Sequence, residues 1–197
     1  MKKIFFIIIF LIIGLTQKTF AYSSDPKQFV SEVIAETKKI LMETNTKEYK
    51  TKKLSEMALE TVDIKGVAYY SLGNYRKELN DEQLKEYLIL FENYFLKSFS
   101  SRLTDYSEPK IEVISAKILN PKYTMVESLL LGTDKKPEVK IDWRIYTKNP
   151  DKPLIRDLII EGLSLARTQK EEFSSIIEAN NGDITKLFIT LKEFTDK

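Results

Sequence analysis

The chain has 197 residues, 43% hydrophobic and 30% charged, with no cysteine and no histidine. That length suits one domain, and the apolar fraction is that of a globular protein, not a disordered one. Without Cys there is no disulfide, thiolate nucleophile or thiolate metal site. Without His there is no Ser-His-Asp triad, His-ligated zinc or imidazole base. Carboxylates and lysines are what remains for hydrolytic chemistry.

The chain opens like a secretory signal peptide. Lys2 and Lys3 form a positive n-region. Ile4 to Leu15 carries no polar side chain but is short of the ~20 residues that span a membrane. The polar Thr16 to Lys18 follows, then Thr19-Phe20-Ala21, with small residues where signal peptidase needs them. Residues 1–21 are therefore expected to be a signal peptide and residues 22–197 a single domain. No Cys follows the apolar run, so a lipoprotein anchor is excluded. Cleavage removes Lys2, Lys3 and Lys18 and no acid. The 31 basic residues fall to 28 against 29 acidic, a net charge of −1. A chain so balanced has no general electrostatic reason to bind nucleic acid.

The first half reads as helices. Asp25 is placed to cap one, with Pro26 in its first turn, and Phe29, Val30, Val33, Ile34, Ile40 and Leu41 follow helical spacing. The lysine-rich stretch 47–53 leads to Leu54, Met57, Ala58 and Val62. Asp63 begins a shorter helix through Val67, Tyr70 and Leu72, which Gly73-Asn74 stops. Asn80 and Gln83 have capping-box spacing. Leu84, Tyr87, Leu88, Phe91, Tyr94, Phe95, Phe99 and Leu103 then form a long apolar stripe, half of it aromatic.

From Lys110 the period falls to two. Ile111-Val113 and Ile114-Ala116 read as opposite faces of a first strand, and Tyr123 to Leu131 as a second, turned by Gly132-Thr133-Asp134. In the third, Val139, Ile141, Trp143 and Ile145 alternate with Lys140, Asp142, Arg144 and Tyr146. One face of the sheet is therefore buried there and the other wet. Asn149-Pro150-Asp151 is a turn. Leu154 to Leu163 reads as a fourth strand. Thr168 and Glu171 mark a further helix start, Asn180-Asn181-Gly182 a helix end, and Asp183 the cap of a last helix with Leu187, Phe188 and Leu191. Helices, an antiparallel meander of about four strands, then helices again make an α+β fold with the helices on a curved sheet.

Four segments in this order resemble a known family. They are Val62-Asp63 through Tyr70-Ser71-Leu72-Gly73-Asn74-Tyr75, Leu79 to Gln83 running on to Phe91 and Tyr94-Phe95, Asp157 through Glu161-Gly162-Leu163-Ser164-Leu165, and Thr168 onward to Lys192. The chain resembles the MlaC/toluene-tolerance family of periplasmic phospholipid-binding proteins over nearly all of residues 25–194. It departs where that family often carries a Trp before the Asp157 strand and this chain has Lys152-Pro153.

The resemblance implies a cystatin/NTF2-like fold with an apolar lipid cavity and a carrier working in the periplasm as a monomer. It would shuttle glycerophospholipid between an inner-membrane ABC transporter with its MCE-domain subunit and an outer-membrane lipoprotein–porin complex, maintaining outer-membrane lipid asymmetry. No cofactor or metal is implied. Tail burial sets the scale. At ~0.8 kcal/mol per CH₂, about 30 methylenes cost on the order of 24 kcal/mol to expose.

The residues expected to meet the lipid are Tyr70, Leu72, Tyr87, Phe91, Tyr94, Phe95, Val126, Leu129, Leu131, Val139, Ile141, Trp143, Ile145, Ile159, Leu163 and Leu165. Periodicity does not separate a lined cavity from a filled core. A second reading is an NTF2-like enzyme with Asp142, Asp157 and Glu161 as its carboxylates. A third is a pocketless adaptor or chaperone.

The signal peptide makes one prediction. N-terminal sequencing of the exported protein should begin at Tyr22, and retention of Met1 to Ala21 in a membrane fraction would refute it.

Overall fold

The computed structural model describes residues 22–104, 110–132 and 137–196. The expected signal peptide and part of the expected Gly132-Thr133-Asp134 turn lie outside the described residues.

Local capping sets where the helices begin. Helix α1 (Pro26–Met42) starts at Asp25, whose carboxylate accepts the Gln28 N–H at 2.8 Å, with Pro26 in the first turn. Helix α2 (Lys47–Thr61) starts at Thr46, whose hydroxyl accepts the Tyr49 N–H at 3.2 Å, so the lysine-rich stretch is itself helical. Helix α3 (Ile64–Leu72) starts at Asp63, which accepts the Gly66 N–H. It ends at Gly73, whose φ of +56° is cheap only for glycine. Helix α4 (Asp81–Thr104) opens with a reciprocal capping box. Asn80 N–H donates to Gln83 at 3.1 Å, and Gln83 N–H donates to Asn80 at 2.9 Å.

The meander has five strands, not four, in the order β1 (Ile111–Asn120), β2 (Tyr123–Leu130), β3 (Val139–Tyr146), β4 (Leu154–Ile160) and β5 (Leu163–Ser164). The expected fourth strand breaks at Glu161-Gly162. Both residues have positive φ, 49° and 83°, the two-residue hairpin turn whose twist matches that of the flanking strands. Buried Pro153 sits just before β4, where its missing N–H costs no ladder bond. After β5 the chain enters helix α5 (Leu165–Ala179). Ser164 caps it by accepting the Arg167 N–H at 3.1 Å, four residues before the expected cap at Thr168. Helix α6 (Thr185–Asp196) follows Asn181 and Gly182, both with positive φ.

The aromatic stripe of α4 is the middle of the helical layer. The helix packs on α2, α3 and α6. Tyr87 and Phe91 are fully buried. Tyr87 meets Phe188, and Phe91 meets Phe95, Tyr94 and Phe173. Each such side chain contributes about 1.5–3 kcal/mol of burial. The Tyr87 hydroxyl lies 2.9 Å from the Ser71 hydroxyl and donates to the Ala68 carbonyl at 3.1 Å.

Burial raises the ionisation of Tyr87 far above its ordinary range, and burial together with Glu36 does the same for Tyr22. Both stay protonated in the folded protein after the unfolded chain has begun to lose protons, at about pH 10. Their contribution is therefore intact below about pH 10 and is lost as pH rises above it. Tyr87→Phe should cost about 1 kcal/mol in denaturant unfolding at pH 8. It should lose less than wild type between pH 8 and pH 11. Equal losses would show that Tyr87 ionises normally.

Candidate functional site

Strand register sorts the sheet's side chains, because residues paired directly across strands share a face. One face, the inner, carries Ile111 and Val113 of β1, and Thr124, Val126, Ser128 and Leu130 of β2. It continues with Val139, Ile141, Trp143 and Ile145 of β3, Ile155, Leu158 and Ile160 of β4, and Leu163 of β5. None of these side chains is charged. The polar groups are satisfied within the face: Trp143 Nε1 donates to Ser128 Oγ at 2.8 Å, and Ser128 donates to the Ile141 carbonyl at 3.0 Å. A bulge at Ile114 shifts the register of β1. Val113 and Ala116 consequently share the inner face, and the expected opposition of Ile111-Val113 to Ile114-Ala116 does not hold.

Helices cover this face unevenly. Ile145, Val126 and Ile155 belong to the core shared with α1, α2 and α3. Toward the other end of β2 to β5, Leu130, Val139, Ile141, Leu158 and Ile160 are only half-buried, and Leu163 is 59% exposed. Phe95, Phe99 and Leu103, on the later turns of α4, border the same core half-buried. The result is an uncharged apolar wall, sealed at one end and open at the other.

The outer face is charged. Lys140 pairs with Asp142 at 3.3 Å and Glu127 at 3.6 Å, and Ser115 donates to Glu127 at 2.7 Å. The Ser115 hydroxyl, followed by Lys140, holds the Glu127 carboxyl below its ordinary range. A groove of about 340 Å³ runs over this face between Tyr70, Leu119, Tyr123, Arg144, Arg156, Asp157 and Ala166. A second, of about 420 Å³, is cut beside α5 among Tyr70, Arg167, Lys170 and Glu171. Both are open, the first lined more by apolar surface and the second more by polar, and neither is a two-tail cavity, which needs the upper part of the usual ~300–1,000 Å³ range.

The carboxylates singled out for an enzyme are parts of the frame. Asp157, buried, accepts Ser164 Oγ at 2.6 Å and the Ala166 N–H at 3.0 Å, and faces Arg144 at 3.5 Å. Glu161 is exposed and accepts the Lys140 N–H. Asp142 pairs with Lys140. Among the described residues no group of three carboxylates is placed to hold a metal ion.

The sixteen residues expected to meet lipid fall into several environments. Leu72, Tyr87, Phe91, Val126, Trp143 and Ile145 are buried in the core. Val139, Ile141 and Leu163 stand at the open end of the inner face. Tyr94 and Phe95 are half-buried on α4, with the Tyr94 hydroxyl donating to Gln169 at 2.9 Å. Leu129 pairs with Lys140 and Ile159 with Asp142, so both lie on the outer face and cannot share a wall with Trp143. Leu131, half-buried, lies just past β2, while Tyr70 and Leu165 are exposed on helices. Leu130, Leu158 and Ile160 complete the open end and were absent from the expectation. In Leu129-Leu130-Leu131 no alternation marks the inward residue; the clue was Ser128, two positions earlier, which only a partner such as Trp143 makes buriable.

Two of the segments that carried the resemblance turn out to be joints. Arg156 is the extra residue of a bulge in β4, which aims its guanidinium at Asp63, the cap of α3. The guanidinium lies against Gly66, where any Cβ would collide with it. Val62 bridges to Ile155, and Asp63 N–H donates to the Ile155 carbonyl at 2.9 Å. Asp157 through Ser164 makes the matching joint to α5.

These features define an α+β protein with an uncharged sheet face partly covered by helices. Residues 27–193 match the profile of the family described as MlaC protein, and the chain belongs to that family. Comparison with curated proteins finds no significant match. Among solved structures the chain is similar to a phospholipid-binding protein from Ralstonia solanacearum, determined in complex with a phospholipid. The TM-score is 0.69 at 17% identity, over 85% of this chain and 94% of that one. At that identity the likeness is one of fold.

Asp157→Ala strips the hydroxyl, the amide and the guanidinium of one shared acceptor. It should cost about 2–3 kcal/mol in urea unfolding, and Asp157→Asn should cost less. An unchanged midpoint for Asp157→Ala would show that α5 is held elsewhere.

Proposed function

We propose that this protein binds a phospholipid by its acyl chains on the inner face of the sheet and carries it through the periplasm. The observation that carries the reading is the inner face itself: uncharged across all five strands, with its one indole N–H satisfied internally and one end left half-open. Acyl chains are held by area and by the absence of charge, and that face offers both. Membership of the MlaC family and the phospholipid in the Ralstonia protein of the same fold support the same ligand. The enzyme reading has less support, because its three carboxylates each serve the frame.

Two tails need more room than the half-open end gives. The helical layer, with α4 at its centre, must lift from the sheet to admit them and settle again after release. Loading then exchanges protein contacts for lipid contacts, which keeps affinity near that of a bilayer and release possible. The carrier would take lipid from, and give it to, the inner-membrane ABC transporter with its MCE-domain subunit and the outer-membrane lipoprotein–porin complex. Its action would maintain outer-membrane lipid asymmetry.

Protein purified without detergent should show about one two-tailed phospholipid by native mass spectrometry and organic extraction. Leu163→Glu should fold with unchanged circular dichroism, because the side chain is exposed. It should lower the bound lipid by about tenfold or more, since the new carboxylate stands against the tails. If wild type yields no phospholipid and takes none from vesicles, the carrier reading fails. If folded Leu163→Glu keeps its full load, the open end of the inner face is not the site.

A further inference from the structure

The hairpin between β1 and β2 carries apolar side chains that the fold does not use. Residues 116–122 are all exposed. Ile118 is 76% exposed and Leu119 45%. Ile118 pairs with Thr124 and so projects from the inner face. Leu119 is the extra residue of a second irregularity in β1 and lines the groove on the outer face. The tip is therefore apolar on both sides.

Positive charge surrounds it. Lys117 and Lys122 flank the two aliphatic residues. Thr147 N–H donates to the Lys122 carbonyl at 2.9 Å, which sets the β3–β4 turn beside this one, with Lys148 and Lys152 exposed. Asp151 is the only acid in the two turns. At their base the rings of Tyr123 and Tyr146 lie 5.4 Å apart, with the Arg156 guanidinium 4.5 Å from the Tyr146 centroid.

We infer that this end of the sheet docks on an anionic lipid surface, the hairpin tip entering the headgroup layer and the lysines meeting phosphates. A lipid interface surrounds a hairpin tip and so buries Ile118 and Leu119 together, though they project from opposite faces. Tyrosines at the base suit the boundary between apolar and wet. A second copy of the chain in a two-fold contact would bring like-charged lysines together. The open end of the inner face lies at the other end of the strands, on the order of 20 Å away. Docking therefore holds the protein on a membrane while the apolar mouth stays free for a protein partner.

The test is flotation of the exported protein with vesicles of 30% phosphatidylglycerol in phosphatidylethanolamine, and with phosphatidylcholine alone. Wild type should float with the anionic vesicles and not with the neutral ones. Ile118→Ser with Leu119→Ser should weaken partitioning at least about tenfold. Lys117→Ala with Lys122→Ala should weaken it about 25-fold at low salt, a difference that high salt erases. Both variants should keep the wild-type circular dichroism and bound lipid. Flotation is scored apart from lipid load, so it succeeds or fails independently of the carrier reading. Wild type that does not float, or variants that float equally, would overturn the inference. So would a dimer on size exclusion that Ile118→Ser with Leu119→Ser dissolves, which would assign the tip to a second copy.

Discussion

Two neighbouring charges on β4 fasten the helices to the sheet. Arg156 reaches the cap of α3 and Asp157 the first turn of α5, and a bulge sends them different ways. Neither is free to do otherwise. The guanidinium is wedged against Gly66 and over the Tyr146 ring, and the carboxylate is buried under three donors. Removing a charge from water costs much of what its partners return, and Arg156 Nε is buried without a partner, so the pair specifies geometry more than it supplies energy. Everything apolar follows from it: with α3 and α5 pinned at one margin, the helical layer must close over the uncharged face.

That closure explains why core and open apolar wall were inseparable in the sequence. Trp143 and Ile141 obey the same period of two on one strand, yet Trp143 is sealed and Ile141 half-open. Exposure differs because the helices cover the inner face unevenly, a property of tertiary placement that no window of residues encodes. Capping was more legible, since it is local. Asp25, Asp63 and the Asn80–Gln83 pair act where their spacing put them.

The misreadings also have local causes. An extra residue at Ile114 is invisible to a period of two, because Ile111 through Ala116 alternates acceptably either way. Glu161-Gly162, expected inside a strand from Leu154 to Leu163, is a complete turn that the sequence hides, because a glutamate with positive φ is uncommon. Two of the four segments that resemble the family do structural joinery. Such joints need particular residues for geometric reasons, whereas an apolar wall accepts many side chains of similar volume.

The margins of the sheet differ in a way that limits how this protein can associate. The far side of β4 is occupied at one end by β5 and at the other by Val62. Among the described residues strand β1 keeps a long free margin, one bulge carbonyl of which is taken by Lys27. Stacking of sheets into a fibre requires each copy to offer two pairing margins, one to receive and one to donate. A molecule with one such margin can join a neighbour only back to back, and the pair so formed has nothing left to extend. Strand addition along the long margin of β1 would therefore end at a pair, the opposite edge being only the two residues of β5.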